Sequence, residues 1–222
     1  MEDRKVRAAI VILVVMAFSF SIAPASAEDY LGEASKKIEK GRLKSASRYL
    51  GRGASSGDER CEFILGLWAL AGIDGKRDTT EASRRFQKAA DAGLLIAQSN
   101  LGLLYASGDG VQRDDTKAAQ WYRKAAESGD SLGQAALGAA TFLGTGVQKD
   151  ALEAYVWTSL AAAQGNRRAH AFLKPMEAEL SEEEIAGANT QVAEFRAEEV
   201  PEKSRWQPPA RLADPTNVAS AR

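Results

Sequence analysis

The side chains able to do chemistry are few and scattered. Cys61 is the one thiol and His170 the one imidazole among 222 residues. Together they would make a nucleophile and its base. They stand about three repeat lengths apart in the pattern set out below. Helix layers stack at roughly 10 Å each, so on the order of 25–30 Å separates the two and a dyad fails on geometry. Neither has a second Cys or His with which to ligate a metal. In the repeat pattern Cys61 shares its position with Ala97, Gly133 and Ala169, which are all small. It therefore reads as a small packing residue, with a redox-sensitive or dimerising thiol as the alternative. His170 reads as a surface side chain. The acidic runs at Glu182 to Glu184 and Glu198-Glu199 read as solvated helix faces rather than catalytic pairs. No nucleophile elbow, phosphate loop or zinc spacing occurs. No catalytic, cofactor-binding or metal site is expected.

Charge excludes a further class. The chain carries 29 Lys and Arg against 30 Asp and Glu. Nothing in this balance favours nucleic acid, which requires a basic patch. A single Cys also rules out an internal disulfide, so the fold must stand on its apolar core.

The first residues have a separate job. Arg4, Lys5 and Arg7 precede an uncharged run from Ala8 to Ala27, whose apolar part is AAIVILVVMAF. The run closes on Ala25-Ser26-Ala27, a small-x-small cleavage pattern. These are the basic, apolar and cleavage regions of an export signal. They predict a signal peptide over residues 1–27, a mature chain starting at Glu28, and a periplasmic location in a bacterium. Loss of three basic and two acidic residues takes the formal charge from −1 to −2. An uncleaved membrane anchor is the rival reading, because the run approaches the roughly 20 residues of a spanning helix. Only in that case is membrane contact expected.

The elements that position everything else announce themselves by repetition. Leu65-Gly66, Leu101-Gly102 and Leu137-Gly138 are spaced by 36 residues. So are Gly72, Gly108 and Gly144; Ala82, Ala118 and Ala154; and Ala90, Ala126 and Ala162. A fixed period of this length means stacked supersecondary units. Within one unit, AQSNLGLLYASG puts Ala97, Leu101, Leu104 and Tyr105 on one helical stripe. Gly108 ends that helix, and Asp114 or Asp115 caps the next. The second helix carries Ala118, Ala119, Trp121, Tyr122, Ala125 and Ala126 along it, with Trp157 in phase with Trp121. A glycine in mid-helix costs about 1 kcal/mol against alanine. Its recurrence at Gly66, Gly102 and Gly138 marks places where a neighbouring helix backbone passes too close for a Cβ, with Ala82, Ala118 and Ala154 serving the same packing. One such pair cannot bury enough to fold alone, so neighbour interfaces must supply the stability.

From Ala97 to Gly129 the chain reads A-x-x-x-L-G-x-x-Y-x-x-G-x-G-V-x-x-D-x-x-K-A-x-x-W-Y-x-K-A-A-x-x-G. This resembles the Sel-one-like repeat, a relative of the tetratricopeptide repeat. The next unit opens on Gly133 and otherwise keeps the pattern. The first unit is looser, with Lys76 where Val would sit. The resemblance covers about residues 42–173. It implies an all-α, right-handed α-solenoid of antiparallel helix pairs, acting as an adaptor or scaffold for a protein partner in the cell envelope. Some exported relatives carry a Cys pair per repeat and have enzyme-like or peptidoglycan-related activities attributed to them. This chain has no such pairs, and an envelope enzyme or peptidoglycan-associated protein stands as the alternative.

By analogy with tetratricopeptide arrays, the first helix of each pair lines a concave face. That places Phe63, Leu67, Ser99, Leu103, Ala135 and Ala139 in a partner-binding groove, with Phe142 beside them. Such an apolar strip suits an amphipathic helix or an extended peptide.

The flanks complete the layout. Residues 28–41 form a lead-in helix, followed by a half-unit with Ala46, Tyr49 and Leu50 in phase. Pro175 interrupts a last first-helix that begins at Arg167. Ser181 and Glu184 make a capping box, so residues 174–200 are a capping helix region. Residues 201–222, which contain Pro201, Pro208, Pro209 and Pro215, read as a flexible tail. Trp206 is an unusual aromatic there, suited to docking or to packing back on the body.

Overall fold

A computed structural model describes residues 29–73 and 75–197. The expected signal segment with Ala25 and Ala27, and the expected tail with Trp206, lie outside the described residues. The described residues form ten α-helices and no strand. They are α1 (Tyr30–Glu39), α2 (Leu43–Ser55), α3 (Glu59–Ala71), α4 (Thr79–Asp91), α5 (Leu95–Ser107), α6 (Asp115–Glu127), α7 (Ser131–Leu143), α8 (Ala151–Ala163), α9 (Arg167–Glu177) and α10 (Glu182–Ala197). The architecture is an all-α solenoid of stacked helix pairs. The chain divides into two compact units, with the boundary between Ala89 and Ala90 inside α4.

In the first unit α1 packs on α2, so the lead-in helix and half-unit expected from the sequence form a helix pair of their own. Leu31, Ala34, Ile38, Ala46, Leu50, Cys61, Ile64, Leu65 and Trp68 make one core. Cys61 is fully buried and faces Gly53 of α2. A Cβ at Gly53 would strike the Cys61 sulfur, so the larger side chain is matched by the absence of one opposite.

In the second unit α5 pairs with α6, α7 with α8, and α9 and α10 close on α8. Helix starts follow from acid caps. Asp114, Asp130 and Asp150 accept bonds from the backbone N–H of Lys117, Gly133 and Glu153 at 2.9, 2.7 and 2.9 Å. Such a cap satisfies donors that have no partner within the helix. Helix ends follow from Gly108 and Gly144, both in the left-handed region, with φ of 74° and 70°. The stacking joint also repeats. Gln98 Nε2 donates to the Ala90 carbonyl and Gln134 Nε2 to the Ala126 carbonyl, both at 3.3 Å.

The mid-helix glycines mark close contacts, as expected. A Cβ at Gly102 would lie 2.6 Å from Tyr122 Cδ1 and 3.2 Å from the Ala118 carbonyl oxygen. At Gly66 the neighbours are the Phe86 ring and the Ala82 carbonyl, and at Gly138 the Thr158 hydroxyl and the Ala154 carbonyl. The crowding thus comes from a side chain four residues beyond the in-phase alanine as well as from the backbone. Leu65, Ala82, Ala90, Leu101, Ala118, Ala126, Leu137, Ala154 and Ala162 are buried, and Tyr105, Trp121 and Trp157 are half-buried.

Two end features differ from the sequence expectation or extend it. Pro175 does not stop α9, which continues to Glu177. Met176, the residue after the proline, is fully buried with Tyr155 and Ala188, and this contact holds the last turn in place. The capping box is made in both directions. Glu184 N–H donates to Ser181 Oγ at 3.3 Å, and Ser181 N–H donates to Glu184 Oε2 at 2.8 Å. The α10 helix then covers α8, with Phe195 edge-on to Trp157 at 5.8 Å between ring centres.

Candidate protein-binding face

The face of interest is built by three helices of the second unit that begin 36 residues apart, α5 at Leu95, α7 at Ser131 and α9 at Arg167. At about 100° per residue, the second, sixth, ninth and thirteenth positions of such a helix fall within an arc of roughly 60°. On α5 these are Ile96, Asn100, Leu103 and Ser107. On α7 they are Leu132, Ala136, Ala139 and Leu143. On α9, which is shorter, they are Arg168, Phe172 and Pro175. The opposite side of each helix is core, including the fully buried Leu101 and Leu137.

The arc collects the exposed apolar side chains. The large hydrophobic residues exposed among the described residues are Leu103 at 41%, Leu143 at 65% and Phe172 at 42%. All three lie on it. Scattered exposed leucines are ordinary on a protein surface. Three on the same face of three in-phase helices form a pattern that packing within the unit does not use. Ile96, Leu132, Ala136 and Ala139, at other positions of the arc, are half-buried, and Ala136 also packs against the cluster of Ala118, Tyr122, Ala126 and Leu137. The face carries no acidic side chain, and Arg168 is its one charge.

The seven residues expected in the groove separate accordingly. Leu103 and Ala139 are on the face, and Leu67 is half-buried at the equivalent position of α3 in the first unit. Phe63 is not a groove residue. It is buried, with its ring 5.2 Å from that of Phe86. Ser99 is not one either. It has no exposed surface, and its hydroxyl donates to the Asp130 carboxylate. Ala135 packs with Ala161, Ala162 and Ala169. Phe142 packs against the cluster of Ala154, Tyr155 and Met176, with Lys149 Nζ 5.3 Å from its ring centre. The physical reason is rotation. The fifth helical position, held by Phe63, Ser99 and Ala135, lies some 60° around from the centre of the arc and turns into the neighbouring helix. Leu143 and Phe172 were missed because they do not repeat. The in-phase partner of Leu143 is Ser107, and those of Phe172 are Ala136 and Asn100, so no large apolar residue recurs at either position.

Charge chemistry is concentrated elsewhere. In the first unit Glu62, nearly buried on α3, accepts from Arg85 at 2.7 Å and Lys88 at 3.2 Å on α4. Arg85 also reaches Glu81 at 2.7 Å, and Glu81 holds Arg84. The Arg84 hydrogen bond, followed by that of Arg85, holds the Glu81 carboxyl well below its usual range, at about 2. These contacts tie α3 to α4. Burial pushes the Cys61 thiol far up, which keeps it protonated and unreactive. His170 is exposed on α9. Among the described residues no three His, Cys, Asp or Glu side chains converge as a metal would need. No helix among them is long and apolar enough to cross a membrane.

Comparison with known proteins places this geometry. Residues 60–94, 95–130 and 131–166 each match the Sel1 repeat. A Sel1 repeat protein from Oxalobacter formigenes is 29% identical, over 64% of this chain and 58% of its own, with a TM-score of 0.59. A protective antigen present in uropathogenic Escherichia coli strains, which displays an SLR fold, is 23% identical over 76% of this chain and 45% of its own, with a TM-score of 0.55. At that identity the second likeness shows the fold alone. The chain thus spans little more than half of the first of these proteins and less than half of the second. No curated protein matches.

Proposed function

Because the chain is a Sel1 repeat protein, we propose that it is an adaptor that holds a protein partner on the apolar face of α5, α7 and α9. Sel1 repeat proteins generally mediate protein–protein interaction and are generally non-catalytic scaffolds. The observation that carries the proposal for this chain is the gathering of Leu103, Leu143 and Phe172 on one face. Away from their ends helix backbones are hydrogen-bonded internally, so such a face recognises side chains more than main chain. Its partner is a segment that presents apolar side chains, either an amphipathic helix or an extended peptide. The place of action is the cell envelope. Support for that comes from the basic start, apolar run and Ala25-Ser26-Ala27 pattern of residues 1–27.

Leu103→Glu tests the face. The side chain is already exposed, so the helical circular dichroism signal and melting temperature should stay within experimental scatter. Capture of the partner should fall at least about tenfold, as expected when a charge must be buried in an apolar contact. Equal capture by the variant would remove this face from the account. N-terminal sequencing of the exported protein tests the location. Glu28 as the first residue is expected, and Met1 would support a membrane-anchored scaffold instead.

A further inference from the structure

Charge on the three helices that build the apolar face is confined to one of them. The 13 residues of α5 and the 13 of α7 include no charged side chain, whereas α9 carries Arg167, Arg168 and Lys174. All three are exposed. Arg168 stands one turn before Phe172 on the face itself, and Arg167 and Lys174 run along the adjoining exposed side of α9. Glu177, in the last turn, is the one acid of that helix. The other cations of the second unit are already engaged. Arg113 pairs with Asp115 at 3.0 Å, Lys117 with Asp114 at 3.4 Å, Arg123 with Glu153 at 2.9 Å and Lys149 with Glu179 at 2.9 Å. Lys124 lies over the Trp121 ring. Among the described residues of that unit, Arg167, Arg168, Lys174 and Arg196 are the cations without such a partner, and three of the four are on α9. Arg167 and Arg168 also fill the first two positions of α9, where the helix dipole disfavours positive charge. Neither an ion pair nor the dipole explains them as stabilisers of their own helix.

We infer that the partner segment held on this face is acidic. Its apolar side chains seat on Leu103, Leu143 and Phe172, and its carboxylates meet Arg168 on the face and Arg167 and Lys174 at the border. An arginine fork takes a carboxylate through two parallel hydrogen bonds. Because α5 and α7 are uncharged, the carboxylates belong at the end of the segment that lies over α9, which fixes the direction in which it binds. The inference rests on the reading of the face as a docking surface, and it adds the charge and direction of what docks. An anionic membrane fits less well. Recognition of such a surface takes clusters of about four to eight Lys and Arg, and α9 carries three.

The test uses the full chain and three fluorescein-labelled amphipathic helical peptides that share one leucine stripe. The polar positions at one end hold glutamate in the first peptide, glutamine in the second and lysine in the third. At low salt the glutamate peptide should bind at least about fivefold more tightly than the glutamine peptide, and the lysine peptide more weakly still. Raising NaCl to about 0.5 M should close the gap by screening. Arg167→Glu, Arg168→Glu and Lys174→Glu together should reverse the order of the glutamate and lysine peptides. The neutral set Arg167→Gln, Arg168→Gln and Lys174→Gln keeps the test sound where reversal disturbs folding, and should bind the glutamate and glutamine peptides alike. Equal affinity of the unaltered chain for those two peptides, a preference that survives the substitutions, or no peptide binding would overturn the inference. Retention on vesicles of phosphatidylglycerol and phosphatidylethanolamine in equal parts, without a peptide preference, would assign the cations to a lipid surface and overturn it as well. These results are separable from the adaptor reading. If Leu103→Glu abolishes partner capture while the unaltered chain treats the glutamate and glutamine peptides alike, the face stands as a docking surface and the acidic partner falls.

Discussion

Gly102 and Gly51 both sit inside helices, and alanine should move stability in opposite directions at the two. Alanine gains about 1 kcal/mol of helix propensity at either site. At Gly51 a Cβ would meet nothing within 4 Å, so Gly51→Ala should raise the urea midpoint. At Gly102 the new methyl would run into the Tyr122 ring, and forcing two packed helices apart costs about 1–3 kcal/mol. Gly102→Ala should therefore lower the midpoint. The 36-residue period showed which helical positions are kept small. It did not show what fills the space, because Phe86, Tyr122 and Thr158 share a position but not a chemistry. Cys61 is the second test at this scale. Its thiol should be silent toward a disulfide reagent in the native protein and react fully in urea. Rapid native reaction would restore the redox reading.

Helix caps carry the argument at the scale of elements. Asp130 accepts from the Gly133 backbone and also from the buried hydroxyl of Ser99 on α5, whereas Asp150 accepts only from Glu153 N–H in the bonds described above. Loss of either cap costs about 1 kcal/mol. Asp130→Ala also leaves the Ser99 hydroxyl without its partner, a further cost of about 1–3 kcal/mol. Asp130→Ala should therefore be clearly less stable than Asp150→Ala in urea unfolding. Sequence reading placed one cap of this kind at Asp114 or Asp115, since an acid before an amphipathic run is a local signal, and did not single out Asp130 or Asp150. It could not show that Ser99 serves a neighbouring cap rather than a groove, because that contact spans 31 residues. The α3–α4 network makes a pH prediction. A carboxyl whose pKa is lowered by folding contributes stability above its unfolded value, and the contribution is lost as pH falls through the folded value. For Glu81 that window runs from the ordinary carboxylate range of about 4.5 down to about 2. NMR titration should find Glu81 well below the ordinary glutamate range, and Glu81→Gln should flatten the acid limb of stability in that window.

At the scale of the whole chain, repetition made the fold legible and left the face obscure. Packing positions recur because each pair must meet its neighbour in the same way, as Leu65, Leu101 and Leu137 do. A recognition face has no such constraint. The position of Leu103 becomes Ala139 and then Pro175, while Leu143 and Phe172 stand where earlier repeats place Ser107 and Asn100. The analogy that assigned Phe63 and Ser99 to a groove was therefore off by part of a helical turn. The most direct test of the central claim is site-specific photo-cross-linking in cells that make the full chain. Leu103→p-benzoylphenylalanine and Phe172→p-benzoylphenylalanine are compared with the same change at Glu127, an exposed residue of α6. The account predicts one discrete protein adduct shared by the first two and missing from the third. The same adducts from all three, glycan adducts alone, or no intermolecular adduct from Leu103 and Phe172 would contradict it.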